Sequence, residues 1–156
     1  MTVADPVVPT LEPAFHAEII VGPPGDLGTT RVGHRRIVPV LGGTLTGGLA
    51  GEILPGGADW QTVRADGAIE IDCRYTARTD AGALVYLQVT GVRSGAPAVL
   101  ESLLRGDPVD PSEYYFRTAI RFETSAPDLL HLQDSIYVAS CVRTADRVRY
   151  DTFRVS

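Results

Sequence analysis

Between Glu113 and Thr124 the chain alternates strictly at a period of two. Tyr114, Phe116, Ile120 and Phe122 fall on one parity, and Glu113, Arg117, Arg121 and Glu123 on the other. Successive side chains of a strand point to opposite faces, so this segment is a strand with one apolar and one charged face. Comparable strand-like segments recur at 11–21, 30–41, 44–54, 60–66, 68–79, 84–93, 135–143 and 147–155. Turn residues separate them: Gly22-Pro23-Pro24-Gly25-Asp26, Gly42-Gly43, Pro55-Gly56-Gly57, Asp66-Gly67 and Asp80-Ala81-Gly82. Asp-Gly between two such runs is a two-residue hairpin signal. The period changes only twice. Residues 97–105 read as one short helix with Leu100, Leu103 and Leu104 on one face, and 127–134 as a single helical turn.

Eight or nine short strands joined mostly by tight turns form an antiparallel meander. A sheet of that length closes on itself, because closure removes its exposed edges. The expected fold is therefore all-β: an antiparallel up-and-down barrel of about eight or nine strands, forming one domain over 10–156 behind a loose leader at 1–9. A sandwich is the alternative, since the connections after Arg93 and Thr124 are long enough to swap sheets. A barrel of about eight strands is either filled by side chains or holds one small ligand.

Composition removes several classes of function. The 14 basic residues are all arginine. Without lysine there is no Schiff base, no phosphate-loop lysine and no lysine general base. Gly42-Gly43-Thr44-Leu45-Thr46-Gly47-Gly48 is glycine-rich but lacks that lysine, and no Gly-x-Ser-x-Gly run occurs. A net charge of −5 argues against nucleic acid as a partner. No stretch approaches the roughly 20 apolar residues of a membrane span, and 1–9 has no signal-peptide pattern. A cytoplasmic protein is expected. Cys73 and Cys141 fit no metal or redox spacing and read as small buried apolar residues. Of the three histidines, His16, His34 and His131, only His16 shares a strand face with an acid, Glu18. One His–Glu pair does not make a metal site, so no metal and no cofactor is expected.

Candidate site residues come from turns and strand faces. Asp59 and Trp60 follow the glycine turn, where they either form a pocket rim or cap the turn and anchor the core. Asp72 and Arg74 lie two residues apart on one face, about 6.5 Å between Cα atoms. Inside a lumen, Arg74 would hold a carboxylate and Asp72 would move a proton. Outside, they would be a surface ion pair of little energetic weight. Ile69, Ile71, Cys73 and Tyr75 hold the opposite, apolar parity, which favours the outside. Arg117 and Glu123 read as a solvated face or a dimer contact, and Tyr86 with Gln88 as polar groups of a pocket.

Five runs stand out in order: Gly33-His34-Arg35-Arg36-Ile37-Val38-Pro39-Val40-Leu41-Gly42-Gly43-Thr44, Leu54-Pro55-Gly56-Gly57-Ala58-Asp59-Trp60-Gln61, Asp72-Cys73-Arg74-Tyr75, Tyr115-Phe116-Arg117-Thr118 and Phe122-Glu123-Thr124. Together they resemble the domain-of-unknown-function 3237 family over nearly the whole chain. The resemblance implies a small single-domain, calycin-like β-barrel, and no established reaction. It directs attention to Asp59, Trp60, Asp72, Arg74, Arg117 and Glu123. The chain departs from the family pattern at His131-Leu132-Gln133, where a Trp-Leu-Asn-like run is expected.

Three functional readings follow. The first is a cofactor-independent enzyme, of isomerase or lyase type, acting on a small carbonyl- or carboxylate-bearing molecule. Asp59, Asp72 and Arg74 would carry the chemistry, and Trp60, Tyr86, Arg117 and Glu123 would bind. The second is a non-catalytic barrel for a small apolar or aromatic ligand. The third is an assembly protein whose charged strand faces join a homodimer or larger homo-oligomer. With lysine absent, arginine is the only fixed cation available, so arginine should position a substrate while an aspartate or glutamate handles the proton.

Overall fold

The computed structural model describes all residues, Met1–Ser156. Ten strands form one antiparallel sheet: β1 (Leu11–Val21), β2 (Gly25–Thr30), β3 (Gly33–Gly47), β4 (Gly51–Ile53), β5 (Ala58–Val63), β6 (Ile69–Thr79), β7 (Leu84–Gly95), β8 (Tyr114–Glu123), β9 (Ile136–Arg143) and β10 (Arg147–Val155). The sheet closes because β1 pairs with both β10 and β3. β4 and β5 share one position, each bridging β3 and β6, and β2 prolongs the line of β1 along the first half of β3. The result is a closed barrel of eight positions, as the alternation and turn spacing imply.

Two strand ends differ from the sequence expectation. β3 runs straight through Gly42-Gly43, and a strand, β2, forms directly after Gly22-Pro23-Pro24. Gly43 has φ +145, and a Cβ there would lie 2.1 Å from the Glu18 carbonyl oxygen. The glycine thus marks a close approach of two backbones within a continuous strand.

The helix α1 (Pro97–Leu104) starts with proline in its first turn and buries Leu100 and Leu103. It follows β7 across one end of the barrel. Leu100 lies against Gly67 of the β5–β6 turn, and Gly106 against Ala145 of the β9–β10 turn. Pro127–Gln133 forms a short 3₁₀ segment. Residues 1–10 carry no secondary structure and are exposed. No helix is long and apolar enough to cross a membrane.

Strand parity sorts the side chains. On β6, Ile69, Ile71, Cys73, Tyr75 and Ala77 point inward and are buried. The lumen has two halves. In the half holding the starts of β1 and β4, Phe122 meets Phe15 and Tyr137 edge-on, with centroids 5.8 and 5.0 Å apart. Leu45, Ile53, Ala77 and Val85 complete this packed plug. The other half, toward α1, keeps a cavity.

Candidate functional site

The cavity has a volume of about 40 Å³. Its apolar wall includes Ile19, Val21, Val38, Val40, Ile71 and Val89. Its polar lining is Asp59, Gln61, Arg93, Thr118 and Arg143, with Cys73, Cys141, Tyr75 and Tyr150 deeper in. Each comes from the inward parity of its strand. Asp59 and Gln61 alternate on β5, Arg93 ends the row Val85, Leu87, Val89, Gly91 on β7, and Arg143 ends the row Ala139, Cys141 on β9. Arg36 continues the inward row of Val38 and Val40 and sits opposite Gln61 in the β3–β5 register.

Asp59 is the one carboxylate lining the cavity. Its Oδ2 accepts from Gln61 Nε2 at 2.8 Å and its Oδ1 from the Asp72 backbone N–H at 3.1 Å. Burial pushes its carboxyl above the usual carboxylate range, and the two hydrogen bonds and Arg93 only partly offset this. Arg93 is 2% exposed, and its guanidinium lies over the Phe116 ring at 5.7 Å. Burial first, then repulsion from Arg143 and Arg36, pulls its pKa down to about 10. Arg143 and Arg36 are lowered in the same direction, again mainly by burial. One acid and three arginines thus share one end of the lumen.

The deeper groups are held in their neutral forms. Burial pushes the Cys141 thiol up to about 11 and the Cys73 thiol well up. Both cysteines are free. The hydroxyls of Tyr75 and Tyr150 contact each other, and burial raises both phenols. At the rim, His34 Nε2 bonds Asp26 Oδ1 at 2.6 Å beside Arg36.

Of the eight sequence-derived candidates, the structure brings Asp59 into the lumen. The other seven lie outside it, Gln88 among them on the outward parity of β7. Asp72 and Arg74 form an outer-face ion pair at 3.2 Å with both side chains largely exposed, so the lumen role is corrected. The cause is parity: Cys73 and Tyr75 take the inward positions of β6. Trp60, 37% exposed, points outward and stacks with Arg74 at 5.9 Å. Tyr86 shares a shallow outer groove with Trp60 and Arg74. Arg117 is exposed over the Tyr115 ring at 5.4 Å, and Glu123 is exposed opposite Tyr86. Sequence reading did not single out Gln61, Arg93 or Arg143 for a role, and named Arg36 only within the run Gly33–Thr44. The available signal was a charge on the apolar parity of a strand end.

His16 bonds Asp151 at 2.7 Å, and Glu18 pairs with Arg147. No group of three or more His, Cys, Asp or Glu side chains gathers in a metal-binding arrangement.

Fold and lumen together define a small closed antiparallel β-barrel with one cavity that joins an enclosed acid to buried arginines. The chain belongs to the family described as "Protein of unknown function (DUF3237)", which matches residues 9–155. A UPF0311 protein of Bradyrhizobium diazoefficiens is 42% identical over 151 residues, 96% of this chain and 99% of the relative. A conserved protein of unknown function from Rhodopseudomonas palustris superposes with a TM-score of 0.91 at 38% identity, covering 97% of this chain and all of that one. A β-barrel-like protein from Acinetobacter baumannii gives 0.85 at 41% identity, covering 97% and 99%. At 20% identity, a Penicillium herquei protein described as an enzyme shares the fold, with a TM-score of 0.72 over 99% of this chain and all of that one.

Proposed function

We propose that the barrel is a cofactor-independent enzyme that moves a proton on a small carbonyl- or carboxylate-bearing molecule, in the manner of an isomerase or lyase. The observation that carries this is Asp59: a carboxyl enclosed in an apolar cavity, with its pKa raised by burial, in a lining that also holds the guanidiniums of Arg93 and Arg143. A raised carboxyl accepts and returns a proton nearer neutral pH than an exposed one does. Removing a proton next to a carbonyl builds negative charge on oxygen, and nearby arginines stabilise that charge in a dry site. Asp59 acts as the base. Gln61 and the Asp72 amide hold it in place. The Penicillium herquei protein adds that a barrel of this fold is described as an enzyme.

Proton exchange tests the reading. Small oxo acids and 1,3-dicarbonyl compounds are incubated with the protein in D₂O, and loss of the activated C–H signal is followed by NMR. Wild-type protein should speed exchange for at least one of them. Asp59→Asn should lose roughly 10²–10⁴-fold of that rate, the usual contribution of a positioned general base. Equal exchange by both proteins would refute the assignment of Asp59.

A further inference from the structure

We infer that the hollow end of the barrel is built for a small carboxylate that also carries a hydroxyl or enol O–H, the carboxylate resting on Arg36, Arg93 and Arg143 and the O–H on Gln61. This rests on the proton-transfer reading and names its substrate class.

The arginines supply the first half. They reach the same end of the lumen from β3, β7 and β9. The ion pairs of the protein engage Arg64, Arg74, Arg78, Arg105, Arg147 and Arg154, and none of these three. Arg93 is buried, and its Nε has no hydrogen-bond partner. Its guanidinium carbon lies over the Phe116 ring at 5.7 Å, and its Nε–H remains for a ligand. A buried cation without a counter-ion is costly, and a planar carboxylate matches the guanidinium fork. Asp59 does not supply that partner at ion-pair distance. The rim acids are engaged elsewhere, Asp26 with His34 at 2.6 Å and Asp146 with Arg147 at 3.9 Å.

Gln61 supplies the second half. It is buried, and its Nε2 donates to Asp59, which leaves Oε1 as an acceptor without a partner. A carboxylate brings no donor, whereas a hydroxyl or enol does. The cavity of about 40 Å³ takes a few heavy atoms, the size of such a head group.

Thermal unfolding at matched ionic strength tests this with acetate, glycolate, glycolamide and sulfate as probes. Saturating glycolate should raise Tm by at least about 3 °C, acetate should raise it less, and glycolamide and sulfate should leave it unchanged. Arg93→Met should melt higher than wild type without ligand, because an uncompensated buried charge is gone, and should not respond to glycolate. Arg143→Gln provides a second arginine variant with the same predicted loss of response. Gln61→Leu should respond equally to glycolate and acetate. Equal stabilisation by sulfate or glycolamide would overturn the proposal, as would a full glycolate response in both arginine variants, or a wild type that ignores glycolate. Asp59→Asn separates the two readings. If it still responds to glycolate while the wild type catalyses no exchange, the carboxylate site stands and proton transfer falls.

Discussion

One half of the lumen is closed by aromatic rings; the other half is left to polar groups. In the plug, Phe15, Phe122 and Tyr137 meet edge to face, and the inward positions are apolar except Thr152, which is buried with no hydrogen-bond partner for its Oγ1. In the hollow half the same eight staves present Asp59, Gln61, Arg93 and Arg143 among Val and Ile side chains. Each stave spans both halves except at one position, where β4 serves the plug and β5 serves the cavity. The break at Pro55-Gly56-Gly57 allows the cavity stave to differ from its neighbour. A Cβ on Gly57 would lie 2.2 Å from the Arg74 carbonyl oxygen, so glycine is required where β5 begins against β6. Apolar packing and charge are thus separated along one axis: the plug supplies burial and allows the other half to hold charges that oppose folding.

That separation gives four expectations, from the largest effect to the smallest. Phe122→Ala should cost about 3–5 kcal/mol in denaturant unfolding, as large-to-small core substitutions do, while leaving any glycolate response intact at a temperature where the barrel is folded. A loss of response in step with stability would show that the halves are not independent. Gly43→Ala should cost about 1–3 kcal/mol, because it forces a side chain into a positive-φ position against the Glu18 carbonyl. A neutral result would show that β1 and β3 have slack there.

Asp59→Asn should have the opposite sign and stabilise the protein at pH 7, because burial raises the carboxyl and its ionised form opposes folding. The folded pKa of Asp59 lies above its unfolded value near 3.8, so the folded state binds the proton more tightly. Its ionised form therefore opposes folding above the folded pKa. That penalty fades as pH falls through the folded pKa and is gone below the unfolded one. The Tm difference between variant and wild type should shrink accordingly on acidification. A difference that grows on acidification would place Asp59 among stabilising ion pairs instead. Asp72→Ala or Arg74→Ala should change stability by less than about 0.5 kcal/mol, since the pair is exposed and screened. A larger loss would reveal an outer-face contribution that the two-half description lacks.

How far the sequence could be read follows from the same parity. The alternation on β6 and β8 is unambiguous, because apolar and charged residues separate cleanly, and the barrel followed from repeating it. The candidate site was harder. Asp72 and Arg74 drew attention as a neighbouring acid and base, yet their own strand puts Cys73 and Tyr75 inside. Arg93 was passed over at the end of a strand, although it continues the row of Val85, Leu87 and Val89. Arg36 and Arg143 do the same on β3 and β9. A charged residue that keeps step with apolar ones is a stronger pointer to a lumen than a charged pair that keeps step with other charges. No local pattern could show that these three strand ends meet, because that depends on how the sheet closes.

The closure has a temporal consequence. β1 pairs with β10, and Ser156 N–H donates to the Thr10 carbonyl at 2.9 Å, so the last stave completes the wall beside the first. Before β10 is made, β1 and β9 are open edges, Val148 and Tyr150 are missing from the cavity wall, and Arg93 has water on a side that is later sealed. Arg93 therefore loses its water only at the final pairing, after most of the sheet has formed. A nascent chain of this barrel would keep its charges hydrated through most of folding and meet the electrostatic cost of the site in one late step, the same step in which β10 adds Thr152 to the plug.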